Sequence, residues 1–334
     1  MTYTMKSVYA KLSEMGLGKK TQIKKYLPSW WDESNTRTES GFQESLWLIA
    51  NTFNIDFGSL VNSLSDSEEK PKFRLPTHQF KHSKNLGEQK LQPSVSISIL
   101  TAKLTLSVFD KPLSDLSNLS AKSIRQNILD NGCQWIDFEN LANYCWNIGI
   151  PVVFIPNPPS PKMDGLAFEM NNRPVIILTK KVKHGALVFD LAHELGHIIL
   201  GHVKDNGMMF DKKIRKDNCD KLEEEATEFA LELLTGKSDT KFKATQFYTP
   251  SKFADVVIAK AKKFKVDPFH IILNYGYNNS SHGLANQVVC KIVEKLGVAT
   301  DDQDLAIKLY LNNIDIEQIE DEDIMYRILG IDFE

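Results

Sequence analysis

A chain of 334 residues, 42% hydrophobic and 25% charged, has room for more than one globular domain and no compositional bias toward disorder. A net charge of −3 excludes a general electrostatic pull toward nucleic acid or anionic lipid, and no apolar run nears the ~20 residues that span a bilayer. Four cysteines without CxxC spacing point to reduced thiols in a cytoplasm, and the opening MTYTMKSVYAKLSEMGLGKK lacks the apolar stretch of a signal peptide.

Residues 1–65 read as a helical domain. In ESLWLIANTFNIDFGSLV, Leu46, Ile49, Ala50 and Phe53 recur at i, i+3, i+4 and i+7, one buried helical face. Before it, Pro28 and the polar cluster from Asp32 to Gly41 mark a turn, and Trp30 and Trp31 are expected to pack that turn onto the helices. Lys19, Lys20, Lys24 and Lys25 form a modest basic patch, suited equally to phosphate and to solvent. Residues 66–94 carry interior prolines and little apolar content, and read as a linker or loop-rich connection. His78 and His82 stand four apart there, but without acidic or thiol partners they read as solvated.

Helical spacing returns from Val95 to Val108, and Leu119 to Trp146 holds one or two further helices. The pattern then turns to strands: Val152 to Ile155, Leu166 to Met170 and Val175 to Leu178, with Asn171-Asn172 as a hairpin turn. LEEEATEFALELLTG is a helix stopped by Gly236. Pro250 to Glu334 is mostly helical, with EQIEDED as a solvated face.

Between the strands and that glutamate-rich helix lies VFDLAHELGHIILGH, three histidines and a glutamate in an apolar run. Residues four apart on a helix differ by about 40°, so His193 and His197 present their imidazoles side by side. Glu194 lies next to them, within reach of a water on a shared ion. This is HExxH: two zinc ligands and a general base. Its apolar flanks would bury both histidines, which then need partners. Gly196 lets another element approach closely. A hydrolytic zinc site takes a third protein ligand. His202 comes too early for HExxHxxGxxH and lacks its glycine, so it stands behind a ligand or at the surface. Glu223, Glu224, Glu225 and Glu228 on the next helix remain. Glu223 shares the side of Ala226 and Ala230, whereas Glu224, Glu228 and Glu232 lie on the solvated side.

From about Ile150 to Gly236, AHELGHIILGH followed by EEEATEFALELLTG, with MDGLAFEMNNRPVIILTKK upstream, resembles the ImmA/IrrE zinc metallopeptidases. The resemblance implies an α+β, gluzincin-like minimal metallopeptidase core, a small sheet packed on the HExxH helix, with mostly helical N- and C-terminal regions. Together with the residue patterns above, it divides the chain into a helical, degenerate helix-turn-helix-like domain (1–65), a connection (66–94), the metallopeptidase domain (95–250) and a helical C-terminal region (251–334). It implies Zn²⁺ on His193, His197 and Glu223 with Glu194 as catalytic base, and Glu225 as the fallback third ligand. Thr227 stands where the family carries asparagine; its hydroxyl can take over a hydrogen bond to a ligand. Tyr248, Tyr275 and His202 are candidate oxyanion donors. The implied activity is zinc-dependent endoproteolysis of a protein substrate, a co-encoded repressor or regulator. The alternative is a regulatory, toxin-antitoxin or phage-related binding protein that keeps its zinc with little proteolysis. DNA is a lesser candidate partner, because Pro28 and the two tryptophans interrupt the segment that would enter the major groove.

Overall fold

A computed structural model describes residues 3–65, 69–75, 86–161, 163–179, 184–203, 208–210, 221–244 and 246–332. His78, His82 and Cys219 lie outside these residues. The first five helices are α1 (Met5–Glu14), α2 (Lys20–Ile23), α3 (Glu39–Thr52), α4 (Phe57–Ser65) and α5 (Leu86–Val108). Next come α6 (Ala121–Asp130), α7 (Phe138–Asn147), the strands β1 (Val152–Phe154), β2 (Gly165–Met170) and β3 (Arg173–Leu178), and α8 (Leu187–Ile199). Then follow β4 (Met208–Phe210), α9 (Lys221–Thr235), α10 (Pro250–Phe264), α11 (Pro268–Asn278), α12 (His282–Leu296), α13 (Asp302–Asn313) and α14 (Glu322–Leu329). No described helix is long and apolar enough to cross a membrane.

Local chemistry sets many of these boundaries. The side chains of Thr38, Ser120, Asp137, Thr249 and Asp267 accept backbone N–H bonds at the starts of α3, α6, α7, α10 and α11. Gly236, just past α9, takes the left-handed φ of +84° expected of a helix stop.

Two compact units share the chain: Met1–Asp110 with Ile155–Met163 and Ile314–Glu334, and Lys111–Phe154 with Asp164–Asn313. In the first unit, Leu46, Ile49, Ala50 and Phe53 are buried, as their spacing on α3 requires. Trp31 packs inward and its indole N–H donates to Ser45 Oγ at 3.0 Å. Trp30 departs from expectation. It stands 66% exposed, its indole N–H donating to Asp321 at 3.0 Å, because the turn points adjacent side chains in different directions. The stretch read as a connection is helical from Leu86 on, with Pro93 inside α5. This helix is hard to see in sequence because its buried positions include Ser94, Ser96, Ser98, Thr101 and Thr105. Their hydroxyls donate to carbonyls, Ser98, Thr101 and Thr105 to the residue four back and Ser96 to Phe53, which makes burial tolerable.

The second unit holds the sheet, ordered β1-β3-β2-β4. β2 and β3 are an antiparallel hairpin whose turn residues, Asn171 and Asn172, have φ of 53° and 59°, the left-handed pair of a type I′ turn. β1 runs parallel to β3, and β4 pairs antiparallel with Leu166 to Phe168 of β2. α8 packs against β2, β3, α7 and α9. A separate apolar cluster joins α10, α11 and α12 around Phe253, Val257, Ile272, Val288 and Ile292.

Candidate metal centre

The helix α8 is buried on nearly every side: Leu187, Val188, Leu191, Ala192 and Leu195 have no exposed surface. Burying five such side chains contributes on the order of 5–10 kcal/mol, which offsets the cost of carrying polar groups into the same environment. Ala186 provides no side-chain cap at its start. Asp302, from α13, supplies the missing acceptor, bonding the backbone N–H of Gly185 at 2.7 Å and that of Leu187. Burial holds the Asp302 carboxyl up at about 6. On its other side α8 meets α9 at Gly196. A Cβ there would lie 3.1 Å from Phe229 Cδ1 and 3.2 Å from the carbonyl oxygen of Ala226. The bare glycine and the small Ala226 set how close the two helices come, and hence how far a carboxylate on α9 must reach.

That closeness brings three ligand-type atoms together. His193 Nε2 lies 3.1 Å from His197 Nε2 and 3.2 Å from Glu223 Oε2, and His197 Nε2 lies 3.7 Å from Glu223 Oε1. The ligand atoms of the three residues fall within 4.8 Å of one another, a group able to hold one metal ion. Burial, then the neighbouring imidazoles of His193 and His202, push the pKa of His197 down to about 2. It is therefore a neutral imidazole with a lone pair to give. Two imidazoles and a carboxylate are the donor set of catalytic zinc sites. Glu224 and Glu228 are exposed, on the solvated side of α9.

Glu194 is buried, 1% exposed. Its side chain lies over the first residue of β2: a Cβ on Gly165 would sit 2.5 Å from Glu194 Oε1 and 2.9 Å from Cγ. Gly165 therefore makes the space that the carboxylate occupies. Sequence reasoning missed it, and its only signal was a glycine at the head of a strand.

Two residues singled out in the sequence back the histidines. Thr227 Oγ1 is 3.4 Å from His193 Nδ1, the ring nitrogen that is not turned toward His197 and Glu223. His202 Nδ1 is 2.9 Å from His197 Nδ1, and its Nε2 is 3.2 Å from Glu225 Oε2. Glu225 thus faces His202 and not the cluster of ligand atoms. Tyr248 and Tyr275 lie stacked on and edge-on to Phe253 at 5.3 and 5.0 Å between ring centroids, beside the α10–α12 cluster.

Residues 145–265 match the Peptidase_M78 family model, described as an IrrE N-terminal-like domain. The match covers α8 and α9 whole, with every ligand-type atom described above. Comparison with curated proteins gave no match.

Proposed function

We propose that this chain, whose residues 145–265 are an IrrE N-terminal-like peptidase domain of the ImmA/IrrE family, is a zinc-dependent endopeptidase acting on a protein substrate. The observation that carries the reading is the convergence of His193, His197 and Glu223 within 4.8 Å, with Glu194 buried on the helix of the two histidines. His193 and His197 would hold the ion through Nε2, and Glu223 through its carboxylate. When bound, zinc supplies Lewis-acid polarisation of the scissile carbonyl and a water acidified toward ~7. Glu194 takes the proton of the attacking water and delivers it to the leaving amine nitrogen. Gly165 keeps the carboxylate in the place where both transfers are made.

The substrate is a co-encoded repressor or regulator in the cytoplasm, so that cleavage changes transcription. Residues 1–65 are a helix-turn-helix-like module that meets this protein and not DNA. Two features support that assignment. Lys20 and Lys24 each pair with Glu33 at 2.8 Å, which leaves less free charge for phosphate. Trp30 and Trp47 are 66% and 62% exposed, and exposed aromatic rings are enriched at protein interfaces.

The test mixes the purified chain, zinc and the neighbouring gene's product, and looks for a discrete cut. Glu194→Gln should keep about one zinc per chain and lose cleavage by several orders of magnitude, because the residue moves protons and does not hold the ion. Zinc loss in that variant, or normal cleavage, would refute the assignment.

A further inference from the structure

We propose that His202 and Glu225 form a positioning chain that fixes the tautomer and ring orientation of His197; the inference rests on the metal-site reading above. It begins with how α8 ends. Gly201, at φ +77°, turns the backbone into the left-handed region. The N–H of Gly201 then donates to Ile198 O at 3.1 Å, and that of His202 to His197 O at 2.8 Å. These two bonds are the Schellman closure of a helix, in which the residue after the glycine folds back onto the residue five before it. An apolar contact usually fills that place. Here it holds an imidazole pair, with His202 Nδ1 2.9 Å from His197 Nδ1.

The protons along the pair follow from the bonds. His197 turns Nε2 toward His193 and Glu223, so that nitrogen must be bare to ligate. Its proton is then on Nδ1 and is donated to His202 Nδ1. This leaves the His202 proton on Nε2, where it is donated to Glu225 Oε2 at 3.2 Å. Each donor has an acceptor and each acceptor a donor. The reverse assignment, with His202 donating from Nδ1, would place the His197 proton on Nε2 and remove a ligand. Water cannot easily replace the chain, since the His197 side chain is 0% and the His202 side chain 6% exposed. Glu225 sits two residues after Glu223 on α9, so one helix supplies both a ligand-type carboxylate and the anchor for a ligand supplied by another helix.

The experiment measures zinc affinity of the full chain by competition with a chromophoric chelator. His202→Ala and Glu225→Ala should each weaken binding by about 10–100-fold, the usual loss when the partner of a ligating histidine is removed. The double variant should be no weaker than His202→Ala, because the two residues act in series. Thr227→Ala acts on the other histidine and should combine multiplicatively with His202→Ala. His202→Gln, whose amide can accept from one side and donate to the other, should recover part of the affinity. If His193→Ala abolishes binding while the His202 and Glu225 variants bind like the parent, the positioning chain is overturned and the metal site stands. If His193→Ala binds zinc like the parent, the metal site itself is refuted.

Discussion

Gly165→Ala adds one methyl group to β2 and touches neither histidine. Its Cβ would stand 2.5 Å from Glu194 Oε1, 2.9 Å from Cγ and 3.0 Å from Cδ, whereas ordinary contact begins at 3.4 Å. The carboxylate must retreat by roughly 1 Å, and with Glu194 1% exposed there is no solvent to retreat into. A displacement of that size at a proton-transferring group costs about 100-fold in kcat, or about 2.7 kcal/mol of barrier. Zinc content should not change, because the ligand-type atoms come from α8 and α9. Backbone strain does not enter either, as Gly165 is not among the glycines of positive φ. The assay is the initial cleavage rate on a protein that the parent chain cuts, with zinc per chain and thermal unfolding measured on the same preparation. Cleavage at the parent rate would refute the claim that Gly165 sets the place of Glu194. Loss of zinc would show that the strand supports the ligands and not the base.

Four further outcomes follow from other contacts. Glu223→Ala should lose zinc strongly while Glu224→Ala and Glu228→Ala keep it, and equal retention in all three would remove α9 from the site. Gly196→Val should also weaken zinc, since even a Cβ there stands 3.1 Å from Phe229 and would force α9 away; unchanged affinity would refute the spacing argument. Arg125 donates to the carbonyls of Leu233 and Leu234 at the end of α9 and of Phe264 and Lys265 at the end of α10. Arg125→Ala should cost about 2–4 kcal/mol in urea unfolding, with Arg125→Lys recovering only part, because an ammonium cannot fork to both helix ends. His270 is 3% exposed and burial pushes its pKa down to about 4. A folded-state pKa below the unfolded ~6.5 means stability that is present above pH ~6.5 and lost as pH falls toward ~4, about 3 kcal/mol in all. Buried Asp302, held up at about 6, works in the opposite sense, contributing stability at low pH that is lost as pH rises through 6. His270→Leu should therefore remove the acid-side loss and leave the Asp302 trend; an unchanged pH profile would contradict the neutral state of His270.

Reading the chain alone recovered what short-range geometry encodes. His193, Glu194 and His197 share a helix whose 3.6-residue period places two imidazoles on one side, and no distant residue is needed to see it. The same holds for the buried stripe of α3, the Asn171-Asn172 turn and the stop at Gly236, each set by a few neighbouring dihedral angles. Glu223 was legible at one remove, from the inward side of its helix and from the resemblance of that helix to a family. Folding had to bring separate elements together before the rest could be seen. Glu225 follows the same hydrophobic pattern whether it ligates or backs His202, and only the approach of α9 to Gly196 separates the two. Asp302 caps a helix that begins 115 residues earlier by its contact with Gly185, 117 residues away in the chain. Gly165 looks like any glycine at a strand end until Glu194 is laid against it. Side-chain periodicity reports which face of an element is buried, whereas the partner on that face is chosen by packing between elements far apart in sequence.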